Sequence, residues 1–385
     1  MSEPLKLVIP AAITDTELVS TNVPEDSAPL WQAAGVYAVN DVVHLPALHR
    51  RYRSLLGTRA TVTISIANPG AVMWAAHGQA EGTPVVLATT GTLPTGLAAG
   101  TVYDVRNPTA DAFGLSAAVG GAVIATSGTQ TGLHSVTANA QRNRYPATDA
   151  KAWQDIAPTN SRGMFDRLGT TKTTNNGPIR VKLKLGAVAS AAALVGMVGD
   201  RVRLRVVDPV GGTVYDRTNE LLSLPVLPGY WEFFYGRRTP VTLALHLQLP
   251  PYPSAEVWID IEGAYTECHN CLVGDYQEIA IGVLAGAEVG INDFGTKEFD
   301  EFGNLDMVER GFSDKASFDL LLDQGEVDAV AAQLKSLRGK TFFWIGSSRY
   351  EATSGYGIYR SYSIGIVYDT HSKSSIQFEG LTKND

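Results

Sequence analysis

Few residues of this 385-residue chain sit at spacings that support chemistry. Its two cysteines occur in the run Cys268-His269-Asn270-Cys271, and CxxC spacing suits a redox pair or half of a zinc site. Two thiolates and an imidazole would supply three zinc ligands. Neighbouring Cys268 and His269 on a strand point to opposite faces, however, and the rest of either constellation is missing. Two ordinary thiols near a strand end are the expectation, with a disulfide or a metal site as the alternatives. The carboxylates Glu298, Asp300, Glu301, Asp306 and Glu309 offer clustered oxygens of the kind calcium takes, yet they lack the regular DxDxDG loop with its terminal Glu. Their spacing also places no pair at the roughly 5–9 Å that glycoside hydrolysis needs. A solvated or interface loop is expected there.

The seven histidines include no HExxH, the serines no GxSxG elbow, and no GxxxxGK[ST] run cradles a phosphate. On that basis no enzyme, cofactor or metal is expected. Asn160, Arg162 and Asp166 could line a polar pocket, but an i,i+4 pairing of Arg162 with Asp166 around buried Met164 and Phe165 needs no ligand. The candidate ligand-binding residues are aromatic: Trp31, Tyr37, Tyr52 and Trp153. The apolar face of a sugar packs on an aromatic ring as other hydrophobic ligands do. Core use is the competing reading, since a small module must build its core from some of these rings. The densest aromatic run, YWEFFYG from Tyr230 to Gly236, alternates aromatics onto both faces of a strand, which predicts burial against a core and a neighbouring element or subunit.

These residues must be held by folded protein, and the composition supplies it: 44% hydrophobic and 18% charged residues belong to a globular chain long enough for two or three domains. The formal charge of −8 gives no global attraction to a phosphate backbone, so nucleic acid is not an expected partner. No basic-then-apolar leader and no apolar run of about 20 residues is present. Membrane insertion is not expected, and synthesis as a soluble protein in the host cytoplasm is.

Residues 1–27 read as a lead strand, LKLVIP, and a polar linker. Residues 28–156 read as a small β module interrupted at about 58–140 by a β insert, because TVTISI, PVVLATT, TVYDVRN, AFGLSA and GLHSVTA are strand-like runs separated by Gly and Pro turns. Such an insertion is tolerated because loop-closure entropy grows only logarithmically with length. From 157 to 273 a β-sandwich of jelly-roll type is expected. RVRLRVVD puts Val202, Leu204 and Val206 on one face and Arg201, Arg203 and Arg205 on the other, and AEVWIDI repeats the device with Val257, Ile259 and Ile261. Residues 274–385 return to strands around one helical run, in which Val327, Val330, Ala331, Leu334 and Leu337 share a face and Gly339 suits the stop, so an α+β assembly domain is predicted. The fold class is therefore mostly β and multidomain.

Two resemblances overlay this reading. The pattern Tyr37, Asn40, Asp41, Val43 and Tyr52 is similar to the small chitin-binding type carbohydrate module, and YPATDAKAW, Tyr145 to Trp153, resembles that module's closing segment displaced by the insert. The insert itself resembles a low-complexity β unit recurrent in phage structural proteins. From about 150 to 382, WQDIAPTNSRGMFDRLGTTKT, GTVYDRT, LPPYPSAEVWIDIEG, EFDEFGNLDMVERGFSDKASFDLLLD, FFWIGS, YGIYRSYSIGI and FEGLT resemble, in order, a family of tailed-phage distal tail or baseplate proteins. Where that family has Thr-Asn-Arg-Trp, this chain has Thr159, Asn160, Ser161, Arg162 and Gly163, which removes a bulky aromatic from the loop.

The resemblance implies a structural protein of the virion at the tail tip or baseplate, in a homo-oligomeric ring with other tail proteins. The aromatic module would contribute to attachment to a host-surface glycan. A primary receptor-binding protein for surface polysaccharide is the alternative, and a tail-associated glycan hydrolase a more distant one.

Overall fold

The computed structural model describes residues 3–33, 35–138, 144–223, 239–299, 305–366 and 371–382. The fold is mostly β and divides into two compact units, residues 25–159 and residues 1–24 with 160–385. No helix among the described residues is long and apolar enough to cross a membrane.

In the 25–159 unit, three described strands form an antiparallel sheet in the order Trp153–Pro158, Arg50–Ser54, Val42–Leu45. The first two of these are paired in space but far apart in sequence, and between them along the chain lies a closed barrel. Its described strands run in the order His134–Ala138, Thr58–Ile64, Val72–Met73, Ala112–Ser116, Val102–Arg106, Pro84–Thr89. The barrel core is made of alternate residues, among them Val62, Ile64, Val85, Leu87, Val105, Phe113, Leu115 and Val136, as closure of an alternating strand pattern requires. Thr58 pairs with Ala138, so the barrel begins and ends at neighbouring points.

The other unit is a sandwich with a helical cover. Among the described residues, nine strands follow one another in its larger sheet: Leu243–Leu247, Ala191–Val198, Thr266–Ile279, Leu5–Pro10, Phe342–Ile345, Ser354–Gly365, His371–Gly380, Phe312–Asp323 and Gly282–Val283. Glu288–Asp293 adds to Phe312–Asp323 at one margin, and Thr173–Asn175 pairs with Thr266–Ile279. The smaller sheet runs Gly212–Glu220, Arg201–Asp208, Glu256–Glu262, Ile179–Leu183, Leu18–Thr21. Its inner face, with Val202, Leu204, Val206, Val257, Ile259 and Ile261, packs with Leu194, Met197, Cys268, Cys271 and Val273 of the larger sheet in one core. Its outer face carries an ion-paired ladder: Arg203 reaches Asp216 at 2.5 Å and Arg205 reaches Asp260 at 2.7 Å. A second core lies under the helix Val327–Ser336, where Val330, Leu334 and Leu337 meet Leu5, Leu7, Phe318, Leu320, Phe342, Trp344 and Phe378. Asp323 caps the preceding 3₁₀ turn by accepting from the Gly325 amide.

Two expectations change. The boundary expected at residue 273 falls inside the strand Thr266–Ile279, which serves the sandwich core with its first half and pairs with Leu5–Pro10 through its second. The lead strand is correspondingly an interior one, hydrogen-bonded to Thr266–Ile279 on one side and to Phe342–Ile345 on the other. Gly274 is required at that crossing, because a Cβ there would lie 2.1 Å from the Ile9 carbonyl oxygen.

Strand Leu243–Leu247 carries a titratable group into the interior. His246 is 2% exposed, its Nδ1 lies 3.0 Å from the Tyr215 hydroxyl, and burial, helped by the charge of Arg217, holds its pKa at about 4 against an ordinary 6.5. The unfolded chain therefore binds a proton that the folded chain refuses. Stability is full above about pH 6.5, falls as the pH drops toward about 4 and flattens below it, a loss on the order of 3 kcal/mol. Urea midpoints measured between about pH 7 and pH 4.5 should show this fall in the parent and a much smaller one in His246→Gln. An equal fall in both would assign the acid lability to other groups.

Candidate functional site

The structure gathers all four candidate aromatics of the small module into one cluster. Tyr52 lies on the middle strand of the small sheet, opposite Val43 on one side and Asp155 on the other, and is 5% exposed. Trp153 is 2% exposed, and its Nε1 donates to the Arg144 carbonyl at 3.0 Å. With Val43, Leu45 and Ala152 these two rings are the core of the module, and Trp31, Tyr37 and Leu56 pack against it. Tyr37 meets Trp153 edge-on at 5.1 Å. Its hydroxyl accepts from the Gln32 amide at 2.7 Å, and burial, with Asp41 nearby, raises the phenol's pKa. Burial raises that of Tyr52 too, followed by the charge of Asp155.

The Asn40-Asp41 turn holds this arrangement. Asn40 adopts a left-handed φ of 70°, which Asn tolerates better than most residues, and its amide donates to the Ser54 carbonyl at 2.8 Å. Asp41 accepts from the Ala38 amide at 2.7 Å and from Arg59 at 3.1 Å. Gly57 passes so close that a Cβ would lie 2.1 Å from the Tyr37 carbonyl oxygen.

Accessible ring surface remains at the rim. Trp31 is half-buried and meets Tyr145 edge-on at 5.2 Å, with Tyr145 38% exposed. Trp31, Tyr37 and Tyr145 keep part of their surface exposed, whereas Tyr52 and Trp153 are buried. Tyr145 is the member that spacing did not single out. Its signal was the Tyr145-Pro146 pair ahead of Trp153, which only the three-dimensional return of the chain places beside Trp31. The candidate platform is thus a pair of crossed rings, suited to packing against an apolar ligand face.

The remaining candidates resolve differently. Cys268 and Cys271 are free and buried in the sandwich core, which pushes the Cys268 thiol up to about 12 and that of Cys271 well above its ordinary value. Thiol reagents should label neither until the protein is unfolded, and labelling of the native chain would contradict this burial. Among the described residues no group of three or more His, Cys, Asp or Glu side chains could hold a metal. Glu298 and Asp306 face each other across a two-stranded ribbon, while Asp300 and Glu301 lie outside the described residues, as does the run Tyr230 to Gly236.

Asn160–Phe165 is a 3₁₀ segment in which Ser161, Gly163 and Met164 are buried. Arg162 reaches Asp15 and the Thr14 carbonyl, and Asp166 accepts from Thr171 at 2.6 Å. Asn160 makes a two-way bond with Thr174, at 2.9 Å in each direction, and so acts as structural glue.

No protein-family model matches the chain, and no curated protein does. Among solved structures, phage phi92 endosialidase aligns with 87% of this chain and 54% of its own length, at 10% identity and a TM-score of 0.18. The chain thus spans about half of that protein. Procruciferin, the 11S globulin from Brassica napus, aligns over 73% and 87% of the two chains at 11% identity and a TM-score of 0.12. The coconut allergen cocosin aligns over 72% and 88% at 15% identity and a TM-score of 0.11. Similarity this low carries no argument about what the chain does.

Proposed function

We propose that this chain is a structural component of the distal tail or baseplate of a tailed phage, carried in the virion, whose 25–159 unit contributes to attachment to a host-surface glycan. The observation that carries the tail assignment is the ordered series of strings from 150 to 382, which resembles that family and falls almost wholly within one compact unit. Antibody raised against the C-terminal region of the chain and imaged on purified virions should decorate the tail tip. Uniform absence of label there, with label on denatured virions as control, rejects the assignment.

A second reading, primary recognition of a surface polysaccharide, is favoured by one feature of the geometry: Trp31 and Tyr145 keep accessible rings while Tyr52 and Trp153 are consumed by the core. The full-length chain should be retained on host surface polysaccharide, and Trp31→Ala should weaken retention by roughly tenfold or more, the loss expected when a central aromatic anchor is truncated. Parent protein that passes unretained over a broad glycan panel would make the module a spacer.

A further inference from the structure

Regular alternation along the strand Thr266–Ile279 would put Cys268 and Asn270 on one face and His269 and Cys271 on the other. Cys268 and Cys271 instead share the sandwich core, while His269 and Asn270 both line an open cavity of about 370 Å³ elsewhere on the larger sheet. Between the pairs Val195–Asn270 and Met197–Cys268 stands Gly196 at a left-handed φ of 65°, where a Cβ would lie 2.8 Å from the His269 ring. That glycine lets the strand pair depart from alternation.

The cavity has an aliphatic wall and an acceptor-rich one. Leu243, Val195 and Asn270 stand in one row across three strands, and half-buried Leu381 adds to the aliphatic side. Asn270 is 3% exposed. Its Nδ2 donates to the Leu168 carbonyl at 3.2 Å, which fixes the amide's orientation and leaves Oδ1 accepting from no described residue. A buried acceptor left unpaired is destabilising, so Oδ1 calls for a donor from within the cavity. At the exposed end, Glu351 likewise has no partner for its carboxylate among the described residues. The described lining holds neither Lys nor Arg, and the nearby charges of Asp166 and Arg167 act on Tyr356 with opposite signs.

We propose that this cavity binds the primary ammonium group of a small alkylamine. The three N–H donors of such a group match the Glu351 carboxylate, Asn270 Oδ1 and a hydroxyl of Thr242 or Ser354, and the aliphatic stem would lie on Val195, Leu243 and Leu381. An anionic ligand would meet Glu351 with no cation beside it, and a purely apolar one would leave Asn270 Oδ1 without a donor. The volume sits at the lower end of the roughly 300–1,000 Å³ of small-molecule sites. Every lining residue belongs to the unit of residues 1–24 and 160–385, so the site is separate from the aromatic module. Amine binding by the purified protein neither requires nor excludes a place in the virion.

Calorimetric titration of the full-length chain with butan-1-amine at about pH 8, where an ordinary imidazole is neutral and an alkylamine charged, should show saturable binding with a dissociation constant on the order of 1 mM. Butan-1-ol and butyrate keep an aliphatic stem but remove or invert the charge, and each should bind at least about tenfold more weakly. Glu351→Gln, at an exposed position, should keep the parent's urea midpoint and lose at least about tenfold in amine affinity. The proposal is overturned by a parent chain that shows no saturable amine binding up to about 50 mM, by equal affinity for the alcohol, or by a Glu351→Gln variant that binds as the parent does. Nα-acetyl-lysine amide carries the same group on a peptide backbone and separates the sources. Tighter binding of it than of butan-1-amine marks the occupant as a lysine side chain of a partner, and weaker binding marks it as a free amine.

Discussion

Replacing Trp153 by alanine should unfold the small sheet of the 25–159 unit at denaturant concentrations where the parent is intact. A fully buried tryptophan truncated to alanine costs about 3–5 kcal/mol. Here the loss includes the edge-on contact with Tyr37 and the bond from Nε1 to the Arg144 carbonyl. Trp31→Ala, at the rim and in contact with Tyr145, should cost roughly 1 kcal/mol, the share of a half-buried side chain. Circular dichroism against urea gives both numbers. The contrast separates structural from ligand-contacting rings: Trp153→Ala lowers stability first and binding only as a result, whereas Trp31→Ala lowers binding in a stable protein. Equal, small effects at both positions would remove Trp153 from the core.

Removal of residues 1–10 should abolish folding of the sandwich unit. Leu5, Leu7 and Val8 are each 0% exposed, and burial of side chains of this size contributes about 1.5–3 kcal/mol apiece. Loss of the strand also strips hydrogen-bond partners from Thr266–Ile279 and from Phe342–Ile345 at once. The sum is comparable with the ~5–15 kcal/mol by which a whole domain is stable. The truncated chain should bind a hydrophobic dye and show no cooperative urea transition. Leu7→Ala alone, at about 2–5 kcal/mol, should fold with a lowered midpoint and so keep the test readable if the truncated chain is insoluble. A truncated chain that melts with the parent would show the strand to be an ornament.

How far the fold is legible before folding depends on the distance over which each signal acts. Alternation in Arg201–Asp208 and Glu256–Glu262 is a local property, and the faces it predicts are the faces buried. The helix behaves likewise, with Val330 and Leu334 inward at i,i+4. Strand order is not local. Leu5–Pro10 pairs with partners hundreds of residues away, and nothing within six residues names them, although its consecutive buried Leu7 and Val8 are the mark of a strand covered on both faces. The break expected at 273 failed for the same reason, since a change of composition along the chain need not coincide with a change of sheet.

The candidate site divides similarly. Residue type identified the aromatics, but which ring becomes core is decided by what packs on its face of the sheet, and Tyr52 is enclosed by Val43, Leu45, Ala152 and Trp153. Tyr145, named by its place in the closing segment, is not among the candidate rings because its contact with Trp31 joins residues on either side of the barrel in sequence.

The pairing of Thr58 with Ala138 bears on how this protein can diversify. Residues facing each other across an antiparallel pair are only about 4.5–5.5 Å apart, so the two ends of the barrel lie side by side. Such a joint behaves as a socket for interchangeable cassettes. A lineage can lose the barrel, shorten its loops or accept an unrelated domain in its place, provided the newcomer's ends lie a strand's width apart. The aromatic core next to the socket is built from residues outside the cassette and would pass through each exchange with its own contacts intact.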